Sequence, residues 1–353
     1  MAPLTRRAPS LFTNEETMTA LTTDPDRTKP PANSRRPGRG LRAGFLQRYA
    51  LLGILLLLLA TFVATVPAFR SWGLIVSMIN SQSIILLLAL IATIVLRTGG
   101  FDLSISQTMV ASAALCIVLT KAGVPLLVAL CASMLLGAVV GIVNALLIVR
   151  IGVDSFVVTL GSFSALAGLA YLVTNSSIVA GAPTELVNAV RSGLLGIPLV
   201  TWYAWLLAAV LWFVYQRTPV GRYMVFIGGN SDAARLAGIS VQRIRVGAYL
   251  ASGILSSLMG LVFLGYFGAV DPGVGSQYML QPLAAAFLGT TAIVVGRFNA
   301  LGTLVALYLL IVGITGLQVL GAQTWVTNLF YGLALMVAVT ASKLAGRKRK
   351  ALA

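Results

Sequence analysis

Histidine is absent from this 353-residue chain, cysteine occurs twice, and acidic residues number only nine. Each shortage excludes something. Without histidine the chain lacks the commonest general base in catalysis and the commonest metal ligand. Cys116 and Cys131 both lie inside apolar runs, show no metal-ligand spacing, and read as small buried hydrophobes. No Gly-Lys dipeptide occurs, so the G-x-x-x-x-G-K-[ST] phosphate loop is missing. Charged residues of both signs make up 10% of the chain, against 58% apolar. A soluble domain carries about 25% charged residues. So little charge cannot cover a water-facing surface, whereas a lipid-facing surface calls for apolar side chains.

What the chain does have is apolar runs of membrane length. Ten are read from the sequence: Tyr49 to Phe69, Leu74 to Leu96, Ile105 to Thr120, Val124 to Val149, Ser155 to Val173, Leu199 to Tyr215, Val246 to Val270, Gln281 to Val295, Ala300 to Leu320 and Thr324 to Leu344. About 20 helical residues cross a hydrocarbon core of ~30 Å. The expected fold is therefore an all-α polytopic membrane protein of about ten transmembrane helices, some short or broken. Residues 1–43 are polar and rich in Pro, Ser, Thr and Arg; they are expected to be a disordered basic tail. The membrane domain spans 44–345, and 346–353 form a second basic tail.

The net charge is +16. Such an excess can signal nucleic-acid binding, but its distribution argues against a nucleic-acid partner. With the N-terminus inside, 22 of the 25 Lys and Arg residues fall on the cytoplasmic side and only Arg70, Lys121 and Arg191 outside. That asymmetry predicts both termini in the cytoplasm and an even number of spans.

Three features stand out from simple spans. The first is Arg97-Thr98-Gly99-Gly100-Phe101-Asp102-Leu103-Ser104, between the second and third runs. Two glycines permit a sharp turn, and Asp102 can cap the helix that follows. The second is the basic loop 217–245. In it Asn230, Ser231 or Asp232 can start a short helix that Gly238 ends. The third is that the third and eighth runs are short and interrupted by small and polar residues. They lie in opposite halves of the chain, a pattern that can mark broken helices lining a pathway.

These motifs resemble those of the ribose-type sugar ABC permeases. Gly99-Gly100-Phe101-Asp102-Leu103-Ser104 is similar to their GG-[IF]-DLS element. Gly221-Arg222, Ile227-Gly228-Gly229-Asn230 and Ala233-Ala234-Arg235-Leu236-Ala237-Gly238-Ile239 are similar to their cytoplasmic coupling loop. Leu288-Gly289-Thr290-Thr291 and Gly296-Arg297-Phe298-Asn299-Ala300-Leu301-Gly302-Thr303 are similar to their late LGG and GxG…GT segment. Order and spacing agree over about residues 45–345. Two departures stand out: Ile105-Ser106-Gln107 replaces the usual V-G-S, and Gly289-Thr290-Thr291-Ala292 replaces G-G-T-S.

The resemblance implies a bacterial inner-membrane subunit that pairs with a second permease chain, identical or not, and is embedded in membrane lipid. A separate ABC ATPase subunit binds the ATP, so the chain itself carries no cofactor and no catalytic or metal site. A periplasmic or lipid-anchored binding protein delivers a monosaccharide, ribose or a related sugar. The implied coupling helix comprises Asn230, Ser231, Asp232, Ala233, Ala234, Arg235, Leu236, Ala237 and Gly238. Candidates for the translocation path or gate are Asn80, Gln82, Gly99, Gly100, Asp102, Ser104, Thr159, Gly161, Gln281, Thr290 and Thr291. The alternative is an ion-coupled secondary transporter of a small polar solute. It sits poorly with acidic residues that all fall at span ends or in loops, because proton relays use ionisable groups within spans. An intramembrane enzyme would need converging catalytic groups, and none are evident.

Overall fold

The computed structural model describes the backbone of residues 37–350 and the side chains of 48–340. Most of the tail expected over 1–43, and the last residues of the tail expected over 346–353, lie outside the described residues. Fourteen α-helices follow one another: α1 (Pro37–Thr65), α2 (Trp72–Ser81), α3 (Ser83–Leu96), α4 (Ile105–Lys121), α5 (Leu126–Ala145), α6 (Ser155–Val173), α7 (Thr184–Arg191), α8 (Leu199–Arg217), α9 (Pro219–Gly229), α10 (Ser231–Leu236), α11 (Val241–Phe267), α12 (Gln277–Gly289), α13 (Ala300–Val319) and α14 (Trp325–Lys350). The only strands among the described residues are two antiparallel ribbons of two residues a side. One pairs Val179–Ala180 with Ala269–Val270, the other Gly193–Leu194 with Ile197–Pro198.

Six helices, α1, α5, α6, α8, α11 and α13, are each long and apolar enough to cross a membrane. A seventh crossing results if α2 and α3, bent by 40° at Gln82, form one span. The apolar runs thus do not map one to one onto straight helices. The second run is kinked. The fourth ends in a π-helical turn over Leu146–Ile151. The eighth is displaced, with a helix at Gln277–Gly289 followed by irregular turns up to Asn299. The basic loop holds two helices, α9 and α10, where the sequence reading expected one. The polar stretch after α6 contains α7.

The centre of the bundle is α3, all of whose residues are buried. A helix that is apolar all round belongs in such a position. α11 runs beside it and packs against α4 and α5. The α5–α11 contact is close enough to exclude side chains: a Cβ on Gly137 would strike the Gly253 carbonyl, and one on Gly253 the Gly137 carbonyl. Small residues allow this approach where lipid offers no hydrophobic drive between helices. Hydroxyls reinforce it. Ser257 donates to the Ser133 carbonyl at 2.5 Å and also bonds Ser112 of α4. The opposite face of α5 is apolar and exposed at Leu127, Leu135 and Ile142. Cys131 lies on that face, one turn from Leu127 and Leu135, and is exposed, so the burial expected of both cysteines holds only for Cys116.

Gly253→Val is expected to cost about 1–3 kcal/mol by overpacking the α5–α11 seam. Thermal melting in detergent measures it, with Gly168→Ala, where a Cβ meets open space, expected to melt like the parent.

Candidate translocation and coupling sites

The stretch between α3 and α4 is not helical, yet it is packed inside the bundle. It runs along α11. Arg245 donates to the Thr98 carbonyl at 3.4 Å, and Tyr249 donates its hydroxyl to the Phe101 carbonyl at 3.1 Å. Ser252 donates to Asp102 Oδ2 at 2.7 Å. From α6, the Ser155 hydroxyl accepts the Phe101 N–H at 3.1 Å. Gly99 has φ +83°, a conformation that side chains rarely adopt, and a Cβ there would lie 3.3 Å from Gly228 Cα. A Cβ on Gly228 would in turn press on the Arg97 carbonyl. The first and second sequence motifs therefore meet backbone to backbone.

Asp102 is the one buried carboxylate among the described residues. Its Oδ1 accepts the Ser104 N–H at 3.0 Å and the Ser104 hydroxyl at 2.6 Å. Ser104 Oγ accepts from Asn144 Nδ2 at 3.1 Å, and Asn144 Oδ1 accepts from Ser162 at 2.5 Å. A chain of five polar side chains thus links α6, α5, the loop and α11. Burial of a carboxylate is costly, and hydroxyl and amide donors offset that cost here. Asp102 does not cap the next helix as expected: the N–H it accepts belongs to Ser104, the residue before α4, whose own start carries no side-chain cap.

Arg97, buried, clamps the same end of the bundle. Its guanidinium lies over the Tyr215 ring, 4.3 Å from the centroid. It donates to the Tyr215 carbonyl at 3.3 Å, the Gly221 carbonyl at 3.4 Å and the Phe298 carbonyl. The rings of Phe101, Phe287 and Phe298 form a stack and an edge contact, with centroids 6.2 and 5.1 Å apart. Between α9 and the turn before α13 lies a cavity of ≈ 820 Å³ whose charged lining is Arg97, Arg222 and Arg297.

A second interruption lies between α11 and α12. Gln107, in the first turn of α4, donates to the Pro272 carbonyl at 3.2 Å, and a Cβ on Gly275 would fall on its amide oxygen. At the other end of α4, Lys121 approaches Gly181, which is bonded to Gly268. These two contacts are roughly 20 Å apart along the helix. Residues 268–275 therefore fold back into the bundle, and α12 starts inside it. That accounts for its shortness.

The remaining path candidates scatter. Thr290 and Thr291 donate back to Phe287 and Leu288 at 2.7 Å each, so their hydroxyls serve the end of α12. Gln281 is half-buried on α12. Thr159 is buried on α6 and bonds Ser155 at 2.7 Å, whereas Gly161 is exposed and faces open space. Asn80 donates to the Tyr266 hydroxyl at 3.1 Å, and its buried Oδ1 has no partner. Gln82 accepts from Tyr331 at 2.9 Å. The sequence reading missed Asn299. Its Nδ2 lies 3.0–3.2 Å from the carbonyls of Gly289, Ala292 and Arg297, and its Oδ1 accepts the Gly302 N–H at 2.7 Å. An asparagine just before a glycine-containing helix start was the available signal.

The segment 230–238, the candidate coupling helix, folds as the capping pattern demanded. Asn230 Oδ1 accepts the N–H groups of Asp232 and Ala233 at 3.1 and 3.0 Å, and Gly238, with φ +79°, ends the turn after α10. Ala234 is buried with Ile227 and Val241, which fixes α10 to α9 and α11. The opposite side is open: Leu236 is 92% exposed. Arg235 and Asp232 form a loose surface pair at 3.8 Å.

A bundle of membrane-length helices, with broken elements inside and a rigid helical hairpin at one end, defines a multi-pass membrane permease. Residues 74–339 match the family described as "Branched-chain amino acid transport system / permease component", and the chain belongs to that family. The chain is 30% identical over 293 residues to the ribose import permease protein RbsC of Escherichia coli strain K12, covering 81% of this chain and 91% of that one. Against RbsC of Bacillus subtilis strain 168 it is 30% identical over 311 residues, 87% and 95% of the two chains. The autoinducer 2 import system permease protein LsrD of Photorhabdus luminescens is 30% identical over 259 residues, 72% and 78%. No solved structure matches. These relatives bear out the ribose-type resemblance, and the chain is the permease subunit of an ABC importer, a multi-pass protein of the bacterial inner membrane.

Asn299→Ala would leave several carbonyls of the 290–299 turn without a donor, at an expected cost of about 3 kcal/mol. Asn299→Asp keeps only the Gly302 bond and should recover part of the loss. Melting temperatures of the purified variants read both.

Proposed function

We propose that this chain, paired with a second permease chain, forms the path by which a monosaccharide enters the cell. A separate ATPase subunit drives it, and an extracytoplasmic binding protein delivers the sugar. The relatives named as ribose import permeases, and the missing phosphate loop, support that division of labour. In this reading the chain crosses the membrane ten times: the six long helices, the bent α2–α3 pair, and the shorter α4, α12 and α14. The 22-to-3 bias of basic residues then puts both termini, α9 and α10 in the cytoplasm.

The observation that carries the mechanism is the backbone contact between Gly99 and Gly228. α10 and its exposed Leu236 face the ATPase. Movement of α10 is carried through α9, to which Ala234 and Ile227 fasten it. α9 cannot shift without displacing residues 97–99, because no side chain cushions the contact. Those residues lead into Asp102 and the start of α4, so a motion outside the membrane reaches a broken helix inside it. The Arg97 clamp extends the same displacement to the 294–298 turn and to α12.

Two substitutions separate docking from transmission. Leu236→Asp should lose co-purification of the ATPase by tenfold or more, since a desolvated apolar anchor is worth roughly 1.5–3 kcal/mol, while membrane insertion is unchanged. Gly228→Val should keep the ATPase bound but reduce sugar uptake per ATP hydrolysed. Normal uptake by both variants would remove α10 and the Gly99 contact from the mechanism. The ion-coupled alternative makes the opposite forecast in proteoliposomes. Uptake driven by a sodium or proton gradient, with no ATPase present, would replace the ATP-driven reading.

A further inference from the structure

The geometry points to a neutral sugar-transit subsite at the kink between α2 and α3, reached from the outer face. A cavity of ≈ 320 Å³ lies there between α2, α13 and α14. Ser81, Gln82, Thr315, Gln318, Thr327 and Tyr331 converge on it, over an apolar floor that includes Met78 and Ile314. With Ser77, seven uncharged hydrogen-bonding side chains line it, in helices that are otherwise mostly apolar. No Lys, Arg, Asp or Glu lines the cavity.

Its position bears on its use. Gln82 is the break residue itself, where the axis bends by 40°. Discontinuous membrane helices are where transporters commonly place their substrate sites, because the break frees backbone polar groups within the bilayer. Gln318 is near the last residue of α13 and Thr327 near the first of α14, and they bond each other at 3.2 Å. With the topology proposed above, these two helix ends are extracytoplasmic. The cavity thus runs from the outer rim, at Gln318 and Thr327, inward to Gln82 and Tyr331, which bond at 2.9 Å. A solute handed over from outside would meet these groups first.

The lining selects a chemical class. The volume is at the lower end of the ligand-pocket range, roughly 300–1,000 Å³, and suits a single sugar ring. Amides and hydroxyls can both donate and accept, which matches a polyhydroxylated neutral solute. An amino acid would bring an ammonium and a carboxylate into a cavity with no counter-charge, a costly arrangement away from water. An acyl chain would leave the amides unanswered. The inference deepens the monosaccharide reading and rests on it.

The test uses proteoliposomes containing the complete transporter with its ATPase and binding protein. Both native cysteines are replaced, as C116A and C131S. Labelled D-ribose, D-xylose and D-galactose serve as probes. Thr315→Cys is treated from outside with a membrane-impermeant thiol reagent. Labelling should block uptake, and the transported sugar, delivered on its binding protein, should slow labelling. Gln82→Leu and Gln318→Leu should each lower maximal uptake about tenfold, the loss of one or two good hydrogen bonds, with sugar affinity of the binding protein unchanged. Uptake at the parent rate in both leucine variants, or labelling indifferent to sugar, overturns the subsite while import itself stands. If the parent takes up none of the three sugars although the binding protein stimulates its ATP hydrolysis, the monosaccharide reading fails, and this inference falls with it.

Discussion

Irregular backbone inside a membrane protein must have its polar groups answered by protein, since lipid answers none. Residues 97–104 meet that constraint, and much of the molecule is arranged to let them. α11 supplies Arg245, Tyr249 and Ser252; α6 supplies Ser155 and, through Asn144 of α5, Ser162. The close glycine seam between α5 and α11 holds two of these donors' helices together. Were the loop exposed to lipid, its carbonyls and Asp102 would be unsatisfied. Wrapped as it is, it is both non-helical and packed, with its polar groups answered.

The second interrupted stretch, 268–275, meets the same constraint by a different route. Gln107 of α4 reaches its backbone, and Gly275 fits tightly against that amide. Gln107, the last of the three residues that replace V-G-S, thus bonds the fold-back. Phe101 of the first stretch packs on Phe287, which lies at the end of α12 farthest from the second stretch.

How much of this was legible in the sequence depended on whether a feature is local. The membrane class followed from composition, and the short helix after Asn230 followed from a capping pattern that needs only neighbours in sequence. Asp102 drew notice because a carboxylate between two apolar runs is conspicuous, and the structure buries it among hydroxyl and amide donors. Its partners Asn144, Ser162 and Ser252 were not, because an amide or a hydroxyl in a helix has many uses. Likewise, Gly99 and Gly228 were each flagged as motif glycines, but their contact, 129 positions apart in sequence, has no signature in one chain. The kink at Gln82 and the fold-back before α12 were hidden because an apolar run reads the same whether it is straight, bent or displaced. Cys131 was misread for a related reason: apolar surroundings signal burial in water-soluble proteins, and in a membrane they equally signal lipid.

The all-round burial of α3 has a consequence for biogenesis. As the ribosome delivers the chain, α3 enters the bilayer before α8, α11, α12 and α13, the helices that later surround it. Until then its flanks rest on lipid and Arg97 has nothing to grip. The guanidinium cannot complete its set of carbonyls until Phe298 has emerged, some two hundred residues later. The first half of this protein is therefore synthesised around a vacancy that only the second half fills. A chain that stops before Phe298 would still hold Arg97 through Tyr215 and Gly221, but one arm of the clamp would stay open.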